Sequence, residues 1–214
     1  MCAAKVALID YGMGNLLSVQ RGLERVGAEV HVTSEPEHIL SADRVVLPGV
    51  GAFPDAMDEL ERRGLVPVMR TLAKQGTPLL GICLGMQILF DVGLEFGETA
   101  GLGLIPGRVL PMPKVSAQGD LLKIPHIGWN SLHPAGDSDW QTGVLAELES
   151  GEAVYFVHSF MAQPQEARFS IAHCFYGGIP IAAVVGRNKV LGCQFHPEKS
   201  GEVGLRVLRG FLSL

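Results

Sequence analysis

The segment Gly81-Ile82-Cys83-Leu84-Gly85 has the residue types and spacing of a reactive turn. An apolar run at residues 78–80 precedes it, and Met86-Gln87-Ile88-Leu89-Phe90 follows as a predicted helix. A nucleophile between two glycines at a strand-to-helix turn is typical of a nucleophile elbow, here with cysteine in place of serine. The partial positive charge of the helix N-terminus would favour the thiolate, which is the reactive form of cysteine. We therefore predict that Cys83 is a nucleophile.

The same turn would supply a hydrogen-bond donor for a negatively charged intermediate. N–H groups in the first turn of a helix have no partner inside the helix, so the Leu84 N–H is free to donate to an oxyanion. The alternative for Cys83 is a packed core residue, which is the usual state of a free cysteine. The flanking glycines favour the catalytic interpretation, because they permit a strained turn and a close approach of strand and helix.

A nucleophilic cysteine requires a general base, and His196 is the best placed of the seven histidines. It follows an apolar, strand-like run, and strand ends are where open α/β sheets bind ligands. Glu198 lies two residues further, so in extended backbone it would project to the same side and orient the imidazole. The alternatives are a surface His-Pro-Glu turn and a metal site formed with Cys193, although the sequence offers no further compact ligand cluster.

The elements that must position these side chains alternate between strand and helix in the first half. Apolar residues at positions 16, 19, 23 and 26 have helical spacing and predict a first helix, which Gly27 ends. The other predicted elements are strands at residues 5–10, 29–33, 44–47 and 78–83, and helices at residues 55–63 and 66–74. Short apolar strands separated by helices predict parallel βαβ units.

The second half has a different pattern. Residues 101–113 and 121–132 contain proline, glycine and alternating residues, which predict hairpins. Further strands are predicted at residues 153–158, 168–175, 181–186 and 190–195, and Ser200 is predicted to cap a last helix. The predicted fold is α/β, with a mostly parallel central sheet flanked by helices and an added antiparallel strand section in the second half. We predict a single domain over residues 1–214.

The composition excludes several classes of function. Of 214 residues, 47% are hydrophobic and 18% charged, which predicts a large buried core. The formal net charge is −5 and no Lys/Arg cluster occurs, so nucleic-acid binding is not expected. No apolar run approaches the roughly 20 residues of a membrane helix, and the N-terminus lacks signal-peptide features. We expect a cytoplasmic protein with free thiols, without a cofactor or a metal.

Taken together, the motifs resemble those of the class I glutamine amidotransferases, which use a catalytic triad. This family resemblance rests on Gly-x-Cys-x-Gly followed by Met-Gln, together with a distant His-Pro-Glu. Within that family, the sequence is most similar to the glutaminase subunits of imidazole glycerol phosphate synthase. The motifs behind this narrower resemblance cover nearly the whole chain: Asp10-Tyr11-Gly12-Met13-Gly14-Asn15-Leu16, Pro48-Gly49-Val50-Gly51-Ala52-Phe53, Pro125-His126-Ile127-Gly128-Trp129-Asn130, Tyr155-Phe156-Val157-His158-Ser159-Phe160 and Phe195-His196-Pro197-Glu198-Lys199-Ser200.

The resemblance implies a glutaminase that converts glutamine to glutamate and ammonia through a cysteinyl thioester. The triad that it implies consists of Cys83, His196 and Glu198. The oxyanion-hole donors would come from Leu84, Val50 and Gly51. Glutamine would be bound by Gly51, Gln87, Glu95, His158 and Ser159. The segment around Glu95 departs from the more acidic and serine-rich pattern of the family, which puts the role of Glu95 in doubt.

The resemblance also implies a partner protein. The glutaminase would form a heterodimer with the cyclase subunit of the synthase, which receives the ammonia in histidine biosynthesis. The residues expected on the face that meets the cyclase are Asn15, Trp129 and Lys199. Three of the residues named by the resemblance also have a plain structural alternative: Gln87 as a solvated first-turn residue, Trp129 as a core residue and Asn15 as a helix N-cap.

Three other functions compete with this interpretation. A triad glutaminase of another biosynthetic synthase would share the triad but would differ in the loops at residues 10–16 and 48–53. A dinucleotide-binding module would explain Gly12-x-Gly14 after the first strand, but Leu17 stands where the third glycine belongs. A scaffold that has lost the chemistry would not be expected to keep the three triad residues.

Overall fold

The first half of the chain is built from alternating strands and helices, as its sequence predicts. The computed structural model describes residues 3–136, 140 and 143–214. Its first elements are β1 (Lys5–Ile9), α1 (Leu16–Arg25), β2 (Glu29–Thr33), α2 (Pro36–Leu40), β3 (Arg44–Leu47), α3 (Phe53–Arg62), α4 (Leu65–Gln75) and β4 (Leu79–Ile82). The two strands predicted at residues 29–33 and 44–47 are confirmed, whereas the short helix α2 was not predicted.

The second half is richer in strands. Its elements are α5 (Leu84–Gln87), β5 (Phe90–Gly93), β6 (Thr99–Ala100), β7 (Ile105–Pro111), β8 (His126–Ser131), β9 (His133–Pro134), β10 (Ala153–His158), β11 (Phe160–Pro164), β12 (Ser170–Tyr176), β13 (Ile179–Arg187), β14 (Val190–Cys193) and α6 (Gly201–Leu212). Strand β10 has the predicted bounds, and β12 to β14 lie close to theirs.

The main sheet contains eight strands in the order β2-β1-β3-β4-β14-β13-β12-β9. The pairs from β2 to β14 are parallel, and the pairs from β14 to β9 are antiparallel. The predicted α/β fold, with a mostly parallel sheet and an added antiparallel section, is confirmed. Strands β4 and β14 are parallel neighbours, with Ile82 opposite Cys193. The residues that follow these two strands therefore meet at one edge of the sheet.

The hairpins predicted at residues 101–113 and 121–132 are wrong as strand pairings. Strand β7 pairs with β11 and β5 in a four-stranded sheet, and β8 pairs with β10 in a separate two-stranded sheet. Alternating residues indicate a strand but carry no information about its partner, which a distant segment supplies here. Between β7 and β8, only the bridge from Val115 to Leu121 has a hairpin arrangement.

The helix predicted after Cys83 is much shorter than expected. Helix α5 ends at Gln87, and Phe90 already begins strand β5. Backbone N–H groups of the returning chain donate to this segment: Leu102 to the carbonyl of Ile88 and Gly103 to that of Phe90. These long-range hydrogen bonds and the complete burial of Ile88 and Phe90 outweigh the helical pattern. A helix of one turn contributes little macrodipole beyond its free N–H groups.

Helices cover the main sheet on both faces. Helices α3 and α4 bury residues such as Leu60 and Leu72 on one face, whereas α1 and α6 bury residues such as Leu23 and Phe211 on the other. The predicted last helix is present as α6, and its apolar residues Val207, Leu208 and Phe211 are fully buried.

Ser200 occupies the N-cap position of α6, but the predicted side-chain cap is wrong. Its hydroxyl donates to the carbonyl of His196 and accepts a hydrogen bond from the N–H of Tyr155. Ser200 therefore fastens the turn that carries His196 to strand β10.

Glycine is required at position 85, where the turn after β4 lies against β3. A methyl group at this position would overlap the carbonyl oxygen of Leu47, which is part of the backbone and has little freedom to move. We expect Gly85→Ala to lower the free energy of unfolding by about 3 kcal/mol. Urea denaturation would measure this loss. The matched control is Gly14→Ala, whose methyl group would meet side-chain atoms of Pro48 and Leu16 at 3.2 Å or more. Equal stability of the two variants would contradict the close approach.

Candidate active site

Cys83 lies on a strained turn directly after strand β4. Its φ of 55° and ψ of −110° are unusual for a residue other than glycine. Hydrogen bonds hold the turn: the Cys83 N–H donates to the carbonyl of Cys193, and its carbonyl accepts from Met86 and Gln87. Backbone strain of this kind is concentrated at functional sites. The side chain is only 7% exposed, and its sulfur faces the pocket described below.

His196 and Glu198 lie at the end of the neighbouring strand. The His196 Nδ1 is 2.8 Å from the Glu198 Oε1, and both side chains are nearly inaccessible to solvent. Because β14 is parallel to β4, the residues that follow it lie beside Cys83, although 113 positions separate Cys83 from His196. The chain thus brings together the three side chains predicted as a triad. The Nδ1 contact leaves Nε2 of His196 as the ring atom available to the sulfur.

The electrostatics of His196 reflect two opposing effects. Burial lowers its pKa, but the contact with the Cys83 side chain and the hydrogen bond to Glu198 raise it more, so that the pKa reaches about 9. Two atoms of the pair, Nε2 of His196 and Oε2 of Glu198, are buried and make no hydrogen bond within the described part of the chain. Catalytic hydrogen bonds are often long without substrate. Because its pKa is raised, the ring favours the charged form and can act as a proton donor.

A pocket of about 320 Å³ opens over Cys83 and His196. The residues predicted to form the oxyanion hole and to bind glutamine all line it: Val50, Gly51, Leu84, Gln87, Glu95, His158 and Ser159. The loop at residues 48–51 reaches the pocket from the end of β3, the strand on the other side of β4. Three adjacent strand ends therefore build one cavity.

Gln87 is a buried residue that makes two specific hydrogen bonds, so its interpretation as a solvated first-turn residue is wrong. Its Nε2 donates to the carbonyl of Phe160 at 3.2 Å and to Oε1 of Gln194 at 3.0 Å. The side chain is 5% exposed and borders the pocket. Both protons of the amide are engaged, which leaves the Gln87 carbonyl oxygen as the group that can accept from a ligand.

Glu95 brings a carboxylate to the pocket wall. Its Oε2 accepts a hydrogen bond of 2.8 Å from the N–H of Phe53, the first residue of α3. A negative charge at a helix N-terminus is stabilised by the helix dipole, so the carboxylate is held in place. The other oxygen remains suited to an ammonium group.

His158 is held neutral by its surroundings. Burial is the main cause that lowers its pKa to about 4, although the Phe160 carbonyl opposes this shift. Its Nδ1–H donates to that carbonyl at 2.8 Å, and its Nε2 lies 2.9 Å from Nδ1 of His126. His126 is itself buried and forms part of this arrangement. It stacks on Phe156 and fixes the pocket histidine in one tautomer.

The residues predicted to face a partner are all exposed. Asn15 stands at the N-cap position of α1 without a side-chain capping bond, and Lys199 lies next to the triad glutamate. Trp129 is 59% exposed, so the alternative of a core residue is wrong. Its ring touches the Tyr155 ring edge-on at 6.0 Å between centroids. Sequence reasoning missed Gln194, which is completely buried beside Cys83.

The alternative of a metal site finds no support in the geometry. Across residues 3–136, 140 and 143–214, no group of three His, Cys, Asp or Glu side chains is arranged to hold a metal ion. Cys193 turns its sulfur towards the carbonyl of Gly81, whereas His196 and Glu198 bond to each other. In the same residues, no helix has the length and apolar character to cross a membrane.

The pKa of His196 provides a direct test of the role of Glu198. Glu198→Gln removes the carboxylate that raises this pKa, so the midpoint of the His196 titration should fall below its value of about 9. For a reaction that needs the charged ring, the pH at which the rate falls on the alkaline side should decrease in parallel. NMR titration of the imidazole would measure the midpoint. The control is Glu202→Gln, an exposed carboxylate on α6. Equal midpoints in wild type and Glu198→Gln would contradict the assignment.

Known proteins resemble this chain over nearly its whole length. The chain matches the family "Glutamine amidotransferase class-I" over residues 7–213. It is 47% identical over 212 residues to "Imidazole glycerol phosphate synthase subunit HisH 1" of Legionella pneumophila (strain Lens), covering 99% of this chain and 100% of that protein. The subunit HisH of Geobacter metallireducens is 48% identical over 209 residues, covering 97% of each chain.

Solved structures support the fold independently of sequence. The structure of PurLQS from Thermotoga maritima superposes with a TM-score of 0.70 at 20% identity, covering 99% of this chain and 98% of that one. A structure described as a glutamine amidotransferase gives a TM-score of 0.72 at 19% identity, covering 98% and 99%. The chain therefore belongs to the class-I glutamine amidotransferase family and, within it, to the HisH group of glutaminases.

Proposed function

We propose that this chain hydrolyses glutamine through a cysteinyl thioester at Cys83 and delivers the ammonia to a cyclase subunit of imidazole glycerol phosphate synthase. The observation that carries the proposal is the meeting of Cys83 with the bonded pair of His196 and Glu198 at one pocket. The relatives at 47% to 48% identity carry the name of this synthase, which supports the pathway of histidine biosynthesis.

The proposed reaction begins with attack of the Cys83 thiolate on the side-chain amide carbon of glutamine. The tetrahedral oxyanion accepts hydrogen bonds from the N–H of Leu84 and from an amide at Val50 or Gly51. His196 then protonates the departing nitrogen, and ammonia leaves with formation of the thioester. The neutral ring next takes a proton from water, which attacks the thioester and releases glutamate. Glu198 orients the ring and stabilises its charged form.

The polar groups of the pocket suit the amino-acid end of glutamine. The carboxylate of Glu95 is placed for the ammonium group, and the free carbonyl oxygen of Gln87 offers a second acceptor. The turn at His158 and Ser159 borders the same cavity and would hold the substrate carboxylate. Because His158 is neutral, it would contribute through fixed geometry rather than through charge.

The chemistry of ammonia gives a physical reason for a docked partner. Free ammonia is mostly protonated at neutral pH and is then a poor nucleophile, so a synthase benefits from receiving it through a protected route. Asn15, Trp129 and Lys199 would lie on the face that meets the cyclase, and their exposure is compatible with this role. We place the reaction in the cytoplasm, because it requires a reduced thiol at Cys83.

A glutaminase of another synthase is the second candidate. The solved structures that share the fold include a "putative gmp synthase subunit a protein" from Thermoplasma acidophilum, with a TM-score of 0.69 at 19% identity. A likeness at that identity concerns the fold alone, whereas the HisH relatives match over nearly the full length. A dinucleotide site after β1 is not supported, because Leu17 replaces the third glycine and is 56% exposed on α1.

Co-purification with the cyclase subunit tests the proposed partner. We expect a one-to-one complex, in which glutaminase activity rises about 5- to 150-fold when the cyclase and its nucleotide ligand are present. Lys199→Glu should weaken the complex. The matched control is Lys74→Glu, at an exposed lysine of α4, on the other face of the main sheet. A chain that hydrolyses glutamine at full rate alone, or that forms no complex, would contradict the proposed coupling.

A further inference from the structure

Gln194 is a completely buried polar residue that the proposed reaction leaves unused. It follows strand β14 and is 0% exposed, in a segment that is otherwise apolar. Its N–H donates to the carbonyl of Ala183 at 2.9 Å, which continues the pairing of β14 with β13. Its side chain reaches the nucleophile: Nε2 lies 3.8 Å from the sulfur of Cys83. A buried amide is costly unless its groups find partners, so this contact needs an explanation.

The orientation of the Gln194 amide follows from its neighbours. The Gln87 amide nitrogen lies 3.2 Å from the carbonyl oxygen of Phe160, which can only accept, so this end of Gln87 must be its NH₂ group. The same NH₂ group lies 3.0 Å from Gln194 Oε1, which must then be the carbonyl oxygen. The remaining end of Gln194, its NH₂ group, therefore points at the sulfur as a donor.

Besides His196, the sulfur of Cys83 contacts two polar groups with opposite preferences. The carbonyl oxygen of Val157, at 3.8 Å, accepts from the neutral thiol and repels a thiolate. The NH₂ group of Gln194 donates to the sulfur and interacts more strongly with a thiolate, because hydrogen bonds to charged acceptors are stronger. The donor of Gln194 thus offsets the repulsion between the Val157 carbonyl and a thiolate at Cys83.

We propose that Gln194 is a further catalytic residue, whose NH₂ group donates to the Cys83 thiolate and is aimed at it by the buried amide of Gln87. This inference rests on the proposed role of Cys83 as the nucleophile. It assigns two functions to Gln87: its NH₂ group anchors Gln194, and its carbonyl oxygen faces the glutamine pocket. The substrate pocket and the nucleophile are thereby joined through two side chains.

Alkylation of Cys83 by iodoacetamide tests the contact, because this small probe reports thiolate reactivity without requiring the glutamine pocket. Gln194→Met keeps the length of the side chain but removes the donor. We expect its alkylation rate at pH 7 to fall about 10-fold, with a similar loss in glutaminase kcat in the partner complex and little change in KM. Gln194→Glu keeps the shape, replaces the donor by an acceptor and should lose more. Gln75→Met, at an exposed glutamine of α4, is the control.

A purely structural role would give a different result. Folded Gln194 variants with lower thermal stability but alkylation rates within twofold of wild type would overturn the proposal. If the Gln194 variants do not fold, Gln87→Met provides the test, because it removes the NH₂ group that orients Gln194 and leaves Gln194 itself unchanged. An alkylation rate of Cys83 in Gln87→Met equal to that of wild type would also overturn the proposal. The proposed function fails separately, if Cys83 of the wild-type protein is not the residue that iodoacetamide modifies or if glutamine gives it no protection.

Discussion

The Cys83→Ala variant is expected to lose glutamine hydrolysis while it keeps its fold and its partner. Among the described residues, Cys83 is the only cysteine that lines the pocket, and Cys193 turns its sulfur to the Gly81 carbonyl. We expect a loss of turnover on the order of 10⁶-fold, as for a triad protease deprived of its nucleophile. Release of glutamate from the partner complex would measure it.

Cys174→Ala is the matched control for this loss. Cys174 is also buried, but it lies on β12, and burial raises the pKa of its thiol to about 12, so it is inert at neutral pH. This variant should keep the wild-type rate apart from a modest loss of stability. Substantial turnover by Cys83→Ala beside its partner would show that the nucleophile has been assigned to the wrong residue.

The second large effect is expected for His196→Gln. The variant retains polarity and approximate size but has no group that can accept and return a proton at neutral pH. It loses both the cation beside the thiolate and the acid that protonates departing ammonia, so kcat should fall on the order of 10³-fold. The attack and the hydrolysis steps both depend on His196, so neither the ammonia burst nor the steady-state release of glutamate should survive.

His173→Gln is the control, because His173 lies on β12, away from the pocket, and burial lowers its pKa. Single-turnover measurement of ammonia release would separate the two steps. A His196→Gln variant that forms the thioester at the wild-type rate would refute the role of His196 as the acid for departing ammonia.

The sequence predicts much of the fold and the composition of the pocket for identifiable physical reasons. The buried strand β3 appears as a short apolar run, and the edge strand β2 as an alternating run of strand-forming residues, so both have the predicted bounds. Ligands bind at the carboxyl ends of such strands, and Cys83 and His196 each follow one. Their meeting could not be derived from the sequence alone, because it depends on β14 lying next to β4 in the sheet. That the two act together in catalysis stays a prediction.

The structural predictions that are wrong share one cause, which is long-range packing. The helix predicted after Cys83 ends at Gln87 because the chain from residue 101 onward forms hydrogen bonds with residues 88–90. The antiparallel partners of β7 and β8 come from segments more than 20 positions away. Gln194 did leave a signal, since a lone amide in an otherwise apolar strand end is rarely placed there without a partner.

The most direct test is covalent labelling with a glutamine analogue that carries a diazoketone in place of the side-chain amide, followed by mapping of the modified residue. We expect a single adduct on Cys83, which excess glutamine prevents and which His196→Gln forms far more slowly. An adduct on another residue, or labelling of Cys83 that glutamine does not block, would mean that this cysteine is not the nucleophile of a glutamine site.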